Sequence, residues 1–424
     1  MKRAASFLGI QKSIVGLLLM VVLLGMGERM AERFLPVYLI ALGASPLIPG
    51  FLNALTNLLS ALYSFPGGWL STRLGYKKAL AVFNLVALAG YAIVICVPSW
   101  PAVIVGSVFF LAWNALSLPA TMDLISNVLP KDKRTMGVSV HAVVRRVPMA
   151  LGPICGGLLI AEYGIETGVR VAFGAAAFFG ILALVAQQRL IHEERIVSAA
   201  KMPGFFSIFR KMPRTLKHLL VSDTLVHSCG HLPYAYIALW ALMPNAPLQL
   251  ASAEQAIPLS FPFIGQLYSG GVDALQFGVL TAVEMITALL IYIPVAYLAD
   301  RSHKKPFVLI TFINFTLFPL VFWLARGFEI FVLAFILRGL KEFGEATRKA
   351  LIMDLAPEGQ KAASFGVYYL VRDIFVSVSA VAGAFIWRAN PDMVFFAAAA
   401  LGAFGTIYFM VFGSDTESPG AKGG

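Results

Sequence analysis

Apolar runs long enough to cross a membrane recur twelve times along the chain, each cut off by a short polar stretch or by glycine and proline. They lie at roughly 14–41, 47–70, 79–97, 101–126, 136–160, 169–187, 215–243, 274–299, 306–325, 328–355, 363–388 and 392–413. A membrane-spanning helix needs about 20 mainly apolar residues, which these runs supply. The pattern predicts an all-α membrane protein of twelve transmembrane helices.

The pattern also repeats. Leu35-Pro36-Val37-Tyr38-Leu39-Ile40-Ala41-Leu42-Gly43-Ala44 is answered by Leu232-Pro233-Tyr234-Ala235-Tyr236-Ile237-Ala238-Leu239-Trp240-Ala241, an offset of 197 from 35 to 232. Pro66-Gly67-Gly68-Trp69-Leu70-Ser71-Thr72-Arg73 is answered by Pro294-Val295-Ala296-Tyr297-Leu298-Ala299-Asp300-Arg301, an offset of 228 from 66 to 294. A third echo pairs Leu129-Pro130 and Gly137-Val138 with Ala356-Pro357 and Gly366-Val367. Parallel repeats in so apolar a chain predict two pseudo-symmetric six-helix bundles with a substrate site at the repeat interface. The predicted bundles are residues 1–188 and 215–424, joined by a cytoplasmic linker at 189–214. The aromatic and basic part of that linker, Phe205 to Lys211, fits either an amphipathic segment on the inner leaflet or a loose connection. The growth of the offset from 197 to 228 places about 31 extra residues near Met243 to Asp273. Proline-rich and apolar, they read either as an external cap or as a tolerated insertion.

Composition agrees with the pattern. Of 424 residues, 59% are hydrophobic and 13% charged, and mean hydropathy is +0.80. The net charge of +11 raises the question of a nucleic-acid partner, but its placement argues for none. Lysine and arginine gather at Arg73, Lys77 and Lys78, at Lys131, Lys133 and Arg134, from Arg189 to Lys217, and at Arg301, Lys304 and Lys305. The intervening loops are nearly free of them, with none between Ala241 and Phe277. This is a positive-inside distribution, putting both termini in the cytoplasm of a bacterial inner (plasma) membrane protein. Lys2 and Arg3 before an apolar run resemble the opening of a signal peptide. No small-x-small cleavage site follows and the homologous copy begins mid-chain, so the run is read as the first span. Cys96, Cys155 and Cys229 lie in predicted spans without metal spacing and are read as packing residues.

Charges inside a membrane mark protein interiors or aqueous cavities. Spans 3, 6, 9 and 12 hold essentially none away from their ends, as expected of four outer, lipid-facing helices around eight that line a cavity. The first span carries Glu28, Arg29, Glu32 and Arg33 as two adjacent stripes, read as substrate or proton contacts. Arg145 and Arg146 sit near mid-membrane in the fifth span; they point about 100° apart, so at least one faces the cavity. Arg372 and Asp373 in the eleventh span are read as a possible cavity pair or as self-paired. In the tenth span, Arg338/Glu342 and Lys341/Glu345 have the i,i+4 spacing of mutually neutralising pairs. Arg348, Lys349 and Asp354 are expected to anchor that span at the cytoplasmic interface, and Glu284 lies in the eighth. Asp223, His227 and His231 form one stripe of the seventh span. It fits packing and hydrogen bonding, proton relay by an imidazole that titrates near neutrality, or two-histidine metal ligation completed from elsewhere.

The segment Gly68-Trp69-Leu70-Ser71-Thr72-Arg73-Leu74-Gly75-Tyr76-Lys77-Lys78 resembles the signature between the second and third spans of the major facilitator superfamily. Tyr297-Leu298-Ala299-Asp300-Arg301-Ser302-His303-Lys304-Lys305 resembles its degenerate second copy. The resemblance covers nearly the whole chain. It implies a cytoplasmic latch built on Gly68, Arg73, Gly75, Lys78, Asp300 and Arg301. The latch aspartate of the first copy is here Thr72, so that half is altered. Gly152-Pro153-Ile154-Cys155-Gly156-Gly157 is similar to the core of a fifth-span motif of proton-coupled antiporters, with Pro148 in place of an expected glycine. In this chain Gly152, Pro153, Gly156 and Gly157 are expected to bend or closely pack the helix. The arginine typical of the fourth span in drug–proton antiporters is absent from Phe109 to Met122, and a related Arg338 … Gly344 pattern stands in the tenth.

What these features imply is a proton-coupled secondary transporter of a small organic solute, an exporter working by alternating access. Alternatives are symport uptake of an organic anion, zwitterion or siderophore, and a non-transporting receptor or assembly factor on the same fold. The expected partners are a small-molecule substrate, protons and the lipid bilayer, with the chain a monomer. No phosphate loop, catalytic elbow or zinc-protease helix occurs, so the sequence suggests neither an enzyme nor a cofactor or metal site.

Overall fold

The computed structural model describes residues 12–111, 113, 121, 124, 134–191, 205–242, 259–261, 265–267, 271–299, 303–357 and 361–414. Its helices are α1 (Lys12–Glu32), α2 (Leu35–Ala41), α3 (Leu47–Leu74), α4 (Tyr76–Cys96), α5 (Trp100–Phe110), α6 (Arg134–Leu190), α7 (Phe205–Lys211), α8 (Arg214–His231) and α9 (Ile237–Leu242). There follow α10 (Ala274–Ala299), α11 (Lys304–Leu324), α12 (Gly327–Leu340), α13 (Glu345–Leu355), α14 (Lys361–Ala389) and α15 (Pro391–Phe412). Together they form an all-α membrane fold of twelve crossings, six from each half of the chain. A short antiparallel hairpin, β1 (Leu259–Phe261) with β2 (Gly265–Leu267), pairs Ser260 with Gln266. It falls in the insertion read from the repeat offset.

Several spans that read as single runs are interrupted. The first breaks between α1 and α2 at Arg33 and Phe34, just before Pro36; the seventh breaks at Leu232-Pro233, where a 3₁₀ turn over Tyr234–Tyr236 leads into α9. Proline lacks a backbone donor but suits the start of a new helix, so the Leu-Pro echo marks equivalent breaks in both repeats. The tenth breaks between α12 and α13, where residues 341–343 close 3₁₀-type bonds and the Gly344 N–H donates to Thr311 Oγ1 at 2.6 Å. Conversely, α6 contains two crossings, parted at Gly164 with φ 76° and ψ 171°. Such a backbone favours glycine, whose missing Cβ removes the clash. Asn390 starts α15 by accepting from the Asp392 N–H at 2.9 Å.

The chain divides into two compact units. The first comprises 1–44, 58–200 and 274–282; the second comprises 45–57, 201–273 and 283–424. Thus α3 and α10 each contribute to both. In the first unit, Tyr91, Phe110 and Phe173 form an aromatic cluster with centroids 5.4–6.0 Å apart. Beside it, buried Asn84 donates to Gln187 Oε1 at 2.7 Å and accepts from Trp113 Nε1 at 2.6 Å. The second unit's core is built around Leu216, Leu219, Phe312, Ile352, Tyr368 and Phe409. A further stack joins Tyr236 to Trp387, 4.4 Å between centroids. Outward faces are themselves apolar: Phe178 is 59% exposed and Val411 66%. Exposed apolar area on that scale belongs against lipid.

Candidate functional site

Each unit holds its own cluster of charged side chains. In the first unit, α1 and the first half of α6 lie so close that glycines are required between them. A Cβ on Gly152 would meet the Cβ of Arg29, one on Gly156 would run into the Met30 carbonyl, and one on Gly25 would meet Pro148. Gly157 and Gly278 make a reciprocal contact. A Cβ on Gly157 would strike the Ala274 backbone, and one on Gly278 the Pro153 backbone. Small residues four apart on both helices let the backbones approach. Pro148 and Pro153 lie within α6.

This packing carries the charges of α1 to the wall of a cavity of about 420 Å³, counting space open to solvent. Its lining includes Glu28, Arg29, Trp113, Thr121, His141 and Arg145. Glu28 is 6% exposed. Arg29 bridges to Glu32 at 2.5 Å, one turn along the same face. Arg145 lies within electrostatic reach of Glu28, Arg29, Glu32 and Arg146. The residues chosen from sequence on α1 and α6 are therefore brought together. Trp113, Thr121 and His141 were not foreseen, since nothing in their spacing separates a cavity-lining polar side chain from a packed one.

In the second unit, Asp223 of α8 is fully buried and is the hub of a network. Arg348 Nη1 reaches its Oδ2 at 2.5 Å, Tyr368 Oη donates to it at 3.0 Å, and Arg372 Nη1 lies 3.8 Å away. His227 Nδ1 stands 3.1 Å from Asp223 Oδ1. Arg348 in turn holds Glu345 through Nη2 at 2.7 Å, and Lys349 reaches the same carboxylate at 3.1 Å. Arg372 pairs with its neighbour Asp373 at 2.7 Å and lies over the Tyr369 ring at 4.1 Å. The stripe continues to His231, whose Nδ1 is 3.1 Å from Asn57 Nδ2 and whose carbonyl accepts from Asn53 Nδ2 at 2.9 Å. A buried ion pair repays its lost hydration only when its remaining hydrogen-bonding positions are filled, as they largely are here.

Two expectations for the tenth span need correction. Arg348 is not an interface anchor: its side chain is wholly buried, whereas Lys349 is 47% exposed and Asp354 pairs with Lys304. Nor do Lys341 and Glu345 neutralise each other, because the turn between α12 and α13 destroys their helical spacing. Glu345 goes to Arg348 and Lys349, and Arg338 reaches Glu284 at 3.2 Å. The inward course of Arg348 and Glu345 was missed for the same reason, since the break redirects one turn of charges inward. Tyr368 and Tyr369, on α14, were not foreseen because nothing in their spacing marks a hydrogen-bonding tyrosine. Of the residues expected to form a latch, Gly68 lies within α3, Arg73 and Lys78 are exposed, and Gly75 takes a φ of 81° between α3 and α4. Asp300 and Arg301 lie outside the described residues. Among the described residues, no group of three or more His, Cys, Asp or Glu is placed to hold a metal ion.

A family model described as Major Facilitator Superfamily matches residues 17–244 and 234–423. Among curated proteins, the chain is 24% identical over 376 residues to the inner membrane transport protein YajR of Escherichia coli K12, covering 85% of this chain and 74% of that protein. It is 20% identical over 380 residues to an MFS-type transporter of Methanocaldococcus jannaschii, covering 87% of each. Among solved structures, a mutant of the nucleoside transporter NupG aligns with a TM-score of 0.73 at 13% identity, covering 96% of this chain and 99% of that one. A POT family transporter in complex with 5-aminolevulinic acid aligns with a TM-score of 0.70 at 12% identity, covering 93% and 95%.

Proposed function

The chain belongs to the major facilitator superfamily, and from that premise we propose that it is a proton-coupled secondary transporter which exports a small organic solute by alternating access. That it is a multi-pass membrane transporter of this type follows from the family match and the relatives. Coupling ion, direction and cargo are our reading, as are a bacterial inner-membrane location with cytoplasmic termini and action as a monomer. We take residues 1–188 and 215–424 as the bundles that rock, with 189–214 joining them. The observation that carries the reading is the carboxylate–arginine group on α1. Glu28 and Arg29 line a cavity within a membrane-spanning helix, with Glu32 paired to Arg29.

A proton arriving on Glu28 or Glu32 cancels one negative charge beside Arg29 and Arg145 and so changes what those cations can bind. A cargo held through a cationic group on those carboxylates competes with the proton, which is what exchange requires. An anionic cargo on the arginines instead binds better once a glutamate is protonated, which is symport. The solved neighbours that carry nucleosides or bind 5-aminolevulinic acid make a small-molecule cargo a natural expectation. A second reading, symport of an organic anion, draws support from charge. Arg29 on α1, Arg33 at the break after it, and Arg145 and Arg146 on α6 outnumber Glu28 and Glu32 by two.

Reconstituted transport tests the coupling group. Glu28→Gln and Glu32→Gln, singly or together, should abolish accumulation of cargo driven by a pH gradient. Cargo-for-cargo exchange should survive, because exchange moves no net proton. If the double variant still concentrates cargo using the pH gradient, the coupling group lies elsewhere, with Asp223 and His227 next in line.

A further inference from the structure

Within the second unit, Lys341 is a membrane-embedded cation that makes no ion-pair contact with a carboxylate among the described residues. Lys341 lies in the turn between α12 and α13, partly exposed, and its Nζ is 4.6 Å from the centroid of Phe315 and 4.8 Å from that of Phe318. Glu284 and the adjacent Glu342 lie within electrostatic range of it without forming an ion pair with it. Glu284 pairs with Arg338, and Glu345 with Arg348 and Lys349. The same rings serve other polar groups: Phe315 faces His227 at 5.2 Å, and Phe318 faces Arg338 at 5.5 Å. Aromatic faces attract an ammonium, but more weakly than hydration or a carboxylate would. A charge kept within a membrane span without a full counter-charge is costly, and its position marks a functional site.

We propose that Lys341 is the anchoring cation of an organic-anion site on the second unit, taking the carboxylate of a solute whose apolar body lies along the half-buried Phe315, with the buried Phe318 backing the lysine from the core. The proposal deepens the organic-anion reading above and rests on it for the cargo to be moved. It assigns the substrate class, an organic carboxylate, and a contact residue apart from the charge network centred on Asp223. The positive excess beside the first unit's cavity suits the same class of cargo.

The test uses the purified full-length chain in a neutral detergent, so that no lipid headgroup supplies the anion. Thermal stability is measured with matched probes of one to three rings, each as the carboxylate and as its primary amide, starting with benzoate and benzamide. The expected result is that at least one carboxylate stabilises the protein more than its amide. Lys341→Gln should weaken that carboxylate roughly ten- to hundredfold, the range for a charge-assisted contact, while leaving the amide unchanged. Lys341→Arg should retain the preference. If the Gln variant is not recovered folded, Lys341→Met, whose chain suits the two rings, is read in its place. A wild type that prefers no carboxylate over its amide, or a neutral variant that keeps the preference, overturns the site. The same carboxylate in proteoliposomes separates the two readings. Lys341-dependent binding without flux overturns transport but leaves the anion site standing. Flux indifferent to Lys341→Gln overturns the anion site but leaves transport standing.

Discussion

At the scale of single residues, the Asp223–Arg348 pair is where the second unit is most vulnerable. Both side chains are fully buried and 2.5 Å apart. Removing the guanidinium leaves Asp223 with His227, Tyr368 and a more distant Arg372, so Arg348→Met should destabilise by about 3–5 kcal/mol. Adding Asp223→Asn removes the stranded charge and should recover much of that loss. Thermal unfolding of the purified variants checks the order, and a double variant no more stable than Arg348→Met would contradict it. The Asp223–His227 contact was legible in the sequence because helical spacing of four residues puts both on one stripe. Arg348 was not, because its inward course depends on a helix break whose donor, the Gly344 N–H, is satisfied by a threonine 33 residues earlier. No periodicity within the tenth span records that partner.

At the scale of elements, α1 and α6 depend on what glycine lacks. A Cβ at Gly156 would occupy the place of the Met30 carbonyl, and backbone cannot turn aside as a long side chain can. Gly156→Ala should therefore cost at least about 1–3 kcal/mol, the usual cost of overpacking. Gly174→Ala, on the second half of the same helix with nothing within 4 Å of the added carbon, should be neutral or gain up to about 1 kcal/mol from helix propensity. Equal melting behaviour of the two variants would refute the close-packing account. The glycine-rich motif was readable as a site of close approach, but its partners were not. That Gly156 meets α1 while Gly157 meets α10 follows from the direction each face takes in three dimensions. The Leu-Pro echo was likewise visible, yet the spans around it read as unbroken, since hydrophobicity does not register a lost backbone donor.

At the scale of the whole molecule, the twelve crossings and the twofold repeat could be read from sequence because lipid leaves few alternatives: long apolar runs must become helices. The sharing of α3 and α10 between compact units could not, because it reflects packing between distant segments. The stretch of α3 that joins the second unit meets it through Gly50, which abuts Ala384, and through Asn53, which donates to the His231 carbonyl. The candidate chemistry was legible in outline, as charges placed where lipid would exclude them, and its pairing was not. The central claim is that these buried charges couple solute movement to protons. Wild-type protein reconstituted in sealed vesicles, supplied with a labelled solute identified by stabilisation screening and given an imposed pH gradient, tests it most directly. The account predicts that the solute accumulates against its own gradient and that accumulation reverses side when the pH gradient is reversed. Binding without movement, or movement indifferent to the pH gradient, would contradict it.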